Sequence, residues 1–100
     1  MNDFLDTLAE IFNVQPVINV IKKIEESYPV DTKVKHYKGG EYTITGYALN
    51  QSDDPALDNM PTVIYQNKDG LLFTRNFINF FGDTWITNEM MGPRFTKLEK

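Results

Sequence analysis

The sequence predicts an α+β fold: a small, strongly curved β-sheet or SH3-like barrel with an N-terminal pair of short helices. Three observations predict it. Up to Tyr28 the apolar residues recur at three-to-four spacing, the period of one helix face. Pro29 breaks that period, and from Asp31 onward apolar and polar residues alternate as in half-buried strands. The alternating runs are short, and one of them contains Gly46, which marks a bulge or bend. The chain accordingly divides into a helical hairpin over residues 1–30 and a small β-barrel-like domain over residues 31–100.

Within the hairpin, Asn2 suits an N-cap for a helix reaching Phe12, with Phe4, Leu5, Leu8, Ile11 and Phe12 on one side. Asn13 and Pro16 mark a break and a fresh first turn. A second helix follows from Pro16 to Ser27, its stripe formed by Val17, Val20, Ile21, Ile24 and Tyr28. Strands are expected over Lys33–Tyr37, Glu41–Asn50, Thr62–Gln66, Leu71–Arg75 and Arg94–Leu98, with a short one around Trp85. In the long strand, Tyr42, Ile44, Gly46 and Ala48 are expected to share one face. Lys38-Gly39-Gly40 and Asn67-Lys68-Asp69-Gly70 are turn sequences, Gly70 being suited to positive φ. Asn76 reads as the cap of a single helical turn bearing Phe77, Ile78, Phe80 and Phe81, closed by Gly82. Gln51 to Pro61 is polar and acidic and reads as an exposed excursion.

Composition narrows the function. The 100 residues are 41% hydrophobic and 24% charged, as in a folded domain, and the net charge is −4. An acidic chain lacks the basic face that displaces counterions from duplex nucleic acid, although a pocket for a small anion needs only a few local cations. With no cysteine and one histidine, disulfides, thiolate nucleophiles and multi-histidine metal sites are excluded. No secretory leader and no membrane-length apolar run is evident, so the expectation is a soluble cytoplasmic protein.

The run Lys35-His36-Tyr37-Lys38-Gly39-Gly40-Glu41-Tyr42 is the most distinctive in the chain. Gly46 and Ala48, Val63 and Tyr65, Leu72 and Arg75, Phe80-Phe81 and Pro93-Arg94-Phe95 follow it in order. Together these residues resemble a bacterial and phage family called domain of unknown function 1653, over about residues 34 to 96. The acidic excursion is longer than that family's, and Phe73 stands where the family often carries Trp. The resemblance implies a small β-rich domain and no established reaction.

Six residues are candidates for a binding site: His36, Tyr37, Arg75, Phe81, Trp85 and Arg94. His36 is the one side chain that titrates near neutrality, and acts either on a ligand or as the anchor of a turn. Arg75 can hold a phosphate or carboxylate bidentately, or pair with an acidic neighbour. Arg94 has the same two readings. Phe81 and Trp85 offer flat apolar faces, though most aromatics of so small a domain serve as core. Lys33, Lys35 and Lys38 are either a solvated strand face or an attractor for anions. Asp53, Asp54 and Asp58 lack the glycine and terminal glutamate of a calcium loop, so no metal is expected, and no cofactor either.

No serine, cysteine or paired carboxylate flanks His36 in a catalytic pattern. The expectation is therefore a non-enzymatic binding module for a small anionic ligand such as a nucleotide signal, of the kind a phage uses against host defence. The alternative is a protein-interaction adaptor or inhibitor acting through the N-terminal helices or the acidic loop. A homo-oligomer is expected, assembled through Leu8, Ile11, Phe12, Val17, Val20, Ile21 and Ile24, because those stripes exceed what one small barrel covers.

Overall fold

The computed structural model describes residues 15–98. The helix expected over Asn2 to Phe12, and with it Leu8, Ile11 and Phe12, lies outside the described residues. Helix α1 spans Gln15–Ser27, with Pro16 in its first turn, where a missing N–H costs nothing. Its buried stripe is rotated from the expected one. Ile18 is 2% exposed, Ile21, Ile24 and Tyr28 pack against the main core, and Val20 stays 48% exposed. Lys97 closes the far end: its Nζ donates to the Ser27 carbonyl at 2.7 Å and lies 5.3 Å from the Tyr28 ring centre. A cation there complements the negative end of the helix.

Seven strands and a second helix follow: β1 Lys33–His36, β2 Glu41–Asn50, β3 Met60–Gln66, β4 Leu72–Asn76, α2 Phe77–Phe81, β5 Asp83–Trp85, β6 Met91–Pro93 and β7 Phe95–Lys97. Five form an antiparallel sheet in the order β4-β3-β2-β1-β7, and β5 pairs with β6 in a separate two-stranded ladder. The fold is thus α+β, as its periodicities indicate. The turns behave as their sequences suggest. Gly39, Gly40 and Gly70 all take positive φ, and the Asn67 side chain accepts from the Asp69 and Leu71 N–H groups at 2.9 Å. Asn76 caps α2 by accepting from the Asn79 N–H at 2.8 Å.

The long strand β2 departs from strict alternation. Its pairing with β3 shifts between Ile44 and Gly46, leaving Thr45 as an extra residue whose hydroxyl donates to the Ile64 carbonyl at 3.1 Å. Ile44 faces Tyr65, and beyond the bulge Tyr47 faces Val63. The core side of β2 is therefore Tyr42, Ile44 and Tyr47, while Gly46 and Ala48 turn to the other side. One inserted residue exchanges the faces, because side chains alternate with a period of two.

The sheet is curled but not closed, so the SH3-like barrel is not formed. In a flat sheet β3 and β7 would stand three spacings apart, about 14 Å, and β4 and β7 about 19 Å. Yet the rings of Tyr65 (β3) and Phe95 (β7) are 5.5 Å apart, and the Arg75 guanidinium carbon (β4) lies 6.0 Å from the Phe95 ring centre. No ladder joins β4 to β7. Side chains meet across that seam where a barrel would place backbone hydrogen bonds. Phe80 of α2 plugs it from within, stacked on Phe95 at 4.2 Å and 1% exposed. Val34, Ile44, Val63, Tyr65, Phe77, Phe80 and Phe95 form one buried cluster.

Candidate functional site

The open seam brings together three of the candidate residues. His36 ends β1 directly opposite Phe95 of β7, and their rings meet edge to face at 5.0 Å. Nδ1 of His36 accepts the Lys38 N–H at 3.2 Å, within the turn closed by Gly39 N–H to His36 carbonyl at 2.8 Å. His36 is thus a turn anchor through one nitrogen, and in its neutral form the other, Nε2, carries the proton. Burial depresses its pKa below the ordinary 6.5, and Arg75, Arg94 and Lys38 depress it further. No carboxylate is among the groups that act on it.

Arg75 points from β4 onto the core side, the side of its partner Val63. Its Nε donates to the Tyr65 hydroxyl at 3.0 Å, which fixes the guanidinium plane and leaves the terminal nitrogens available. Arg94 sits in the one-residue gap between β6 and β7. Its backbone is pinned on both sides, the N–H donating to Gly82 at 3.2 Å and the carbonyl accepting from Tyr37 at 2.9 Å. The Nε of Arg94 is buried with no hydrogen-bond partner. A buried charged donor without an acceptor costs on the order of 1–3 kcal/mol or more, so such groups are rare and call for an explanation. Among the described residues neither arginine forms an ion pair with a carboxylate.

Tyr37 flanks the cluster, its ring 4.7 Å from that of His36 and 5.7 Å from the Lys38 ammonium. Phe81 and Trp85 are placed elsewhere. Phe81 packs edge-on against Tyr28, Phe77 and Phe80 as part of the core. Trp85 faces Met91 across the β5–β6 ladder and is 60% exposed. Lys33 and Lys35 lie on the opposite side of β1 from Val34 and His36, exposed to solvent. Lys33 donates to the Thr43 hydroxyl at 3.4 Å, and Lys35 stands opposite Glu41.

The acidic excursion spends two of its three carboxylates on its own backbone. Asp58 accepts from the Ser52 N–H and Asp54 from the Ala56 N–H, at 3.1 and 3.0 Å. Among the described residues no three histidine or carboxylate side chains gather as metal ligands. No described helix is long and apolar enough to cross a membrane.

Sequence reading missed Tyr65 as the residue that orients Arg75. The Asn67–Gly70 turn sets Tyr65 opposite Phe73, hence diagonal to Arg75, so the hairpin register carried that signal. It also missed an open groove of about 500 Å³ beside β4, whose walls include Asn50, Phe73, Thr74, Arg75 and Asn79. Its lining comes from two stretches, 50–65 and 73–79, which the β3–β4 pairing sets side by side.

Comparison with curated proteins and with solved structures finds no match. The sequence pattern of one family, described as "Protein of unknown function (DUF1653)", matches residues 32–97. That span runs from the residue before β1 to the last residue of β7 and so contains every strand and the whole seam. It leaves α1 outside. On this match, the chain belongs to the DUF1653 family of proteins of unknown function.

Proposed function

We propose that this domain is a non-enzymatic module that binds a small anion, a phosphate or carboxylate group, in the seam between β4 and β7. The observation that carries the reading is the buried, unpartnered Arg94 Nε, in a setting where Arg75, Arg94 and Lys38 all act on His36 and no carboxylate does. An anionic oxygen there would accept from Arg94 and Arg75 and offset the mutual repulsion of the cations. His36 adds a donor through Nε2. Its Nδ1 is committed to the Lys38 N–H, so it is placed to hold an oxygen and not to relay a proton between its two nitrogens.

Titration calorimetry with phosphate and with citrate tests this reading. Wild-type protein is expected to bind one of them, and Arg75→Ala to fold normally and bind at least tenfold more weakly. Losing one partner of a buried anion typically costs on the order of 2–5 kcal/mol. An Arg75→Ala protein that folds and binds with unchanged affinity would contradict the reading.

A second reading, a surface for another protein, rests on the pair Trp85 and Met91, adjacent across β5–β6 and 60% and 50% exposed. Aromatic and methionine side chains are enriched at such surfaces. Trp85 fluorescence that stays solvent-like with every candidate partner would count against it.

A further inference from the structure

The groove beside β4 shares Arg75 and Tyr65 with the seam. Tyr65 is 5% exposed, and its hydroxyl holds the Arg75 Nε, so the guanidinium lies where seam and groove adjoin. Beyond Arg75 the groove changes character: its walls carry amides, hydroxyls and an aromatic ring. Asn79 is exposed and uses only its backbone N–H, given to the Asn76 cap, so both ends of its side-chain amide are open. Asn50 spends its NH₂ on the Leu57 carbonyl at 2.9 Å and keeps its oxygen. Thr74 is exposed on the edge strand, and half-buried Phe73 supplies a ring.

We infer that this groove receives the uncharged, ring-bearing part of a phosphate ester whose phosphate sits in the seam, which makes a nucleoside monophosphate the class of ligand. The inference rests on the anion-binding reading of the seam and extends it. The volume, about 500 Å³, falls within the range of about 300–1,000 Å³ common for small-molecule sites. A side-chain amide offers one donor and one acceptor group, the pattern that pairs with the edge of a nucleobase. An aromatic face adds stacking that every base can use. Inorganic phosphate would fill the seam alone and leave the groove untouched.

The test compares inorganic phosphate with the four common nucleoside 5′-monophosphates on the full chain, by calorimetry and by amide NMR. At least one monophosphate is expected to bind tenfold or more tightly than phosphate, and to shift the side-chain amide signal of Asn79, which phosphate leaves in place. Asn79→Ala and Thr74→Val preserve local structure, since alanine favours a helix and valine a strand. Each should remove part of the gain for the nucleotide and leave phosphate affinity unchanged. Nucleotides that bind no more tightly than phosphate, or a gain that survives both substitutions, would overturn the inference while the seam reading stands. If neither phosphate nor any monophosphate binds, the inference fails, and the seam reading fails with it if citrate does not bind either.

Discussion

His36 shows at the scale of one residue how the fold and the site make opposing demands. Its Nδ1 holds the β1–β2 turn, while its surroundings of Arg75, Arg94 and Lys38 disfavour a proton on the ring. The folded pKa lies below 6.5, so between that value and about 6.5 the unfolded chain binds more protons. Stability therefore falls as pH drops through about 6.5 and downward. Denaturant titrations of wild type and His36→Asn should show this. Asparagine keeps an acceptor for the Lys38 N–H but cannot titrate, so the variant should lose less stability on acidification than wild type. Equal losses would contradict the account. A bound anion reverses the electrostatics, so anion affinity should rise over the same fall in pH. Asp31 provides a second residue-scale case. It takes φ 81° in a turn where the Thr32 N–H donates to the Pro29 carbonyl at 3.0 Å, and among the described residues no side-chain hydrogen bond of its own offsets the strain. Asp31→Gly should raise stability by about 0.5–1 kcal/mol, measured by urea unfolding.

Among the elements, β2 explains where sequence reading succeeded and where it stopped. Gly46 announced an irregularity, but its place in the ladder was not legible, because a bulge is defined by the partner strand. Only the pairing with β3 identifies Thr45 as the extra residue and moves Tyr47, in place of Gly46, to the core. Deleting Thr45 would remove the extra residue and leave Ile44 opposite Tyr65 and Tyr47 opposite Val63, so Tyr47 would keep its place against Phe77 and Tyr28. That variant should still unfold cooperatively in a thermal melt; loss of the cooperative transition would refute the assignment of the bulge. Local signals were read well wherever neighbours in sequence decide the structure. The Asn76 cap, the Asn67–Gly70 turn and the end of α1 before Pro29 are of this kind. Asn76→Ala should cost about 1 kcal/mol by loss of the cap. Of the α1 stripe, Ile21, Ile24 and Tyr28 pack as expected, but Ile18 was missed and Val20 included, because both are apolar and only the docked sheet selects Ile18.

For the whole molecule, the feature that matters is the curl that stops short of closure. A bulge and five short strands predicted a barrel, yet β7 has three residues and pairs with β1 alone, so β4 keeps a free edge. The gap between them is bridged by Arg75 over Phe95 and plugged by Phe80. His36, Arg75 and Arg94 were each visible in the sequence as candidates. Their convergence was not, since they lie on three separate segments: the β1–β7 pairing sets Arg94 near His36, and the curl brings Arg75 of β4 toward them. Phe81 and Trp85 show the converse, aromatics near the same motifs that the fold assigns to the core and to an exposed ladder. The central claim is that this seam holds an anion on Arg94. The most direct measurement is the ¹⁵N–¹H signal of the Arg94 Nε–H during a phosphate titration, assigned with Arg94→Lys. The account predicts a saturable downfield proton shift of that signal, accompanied by the His36 ring and absent in Arg75→Ala. A signal that stays fixed while phosphate reaches millimolar concentration would contradict it.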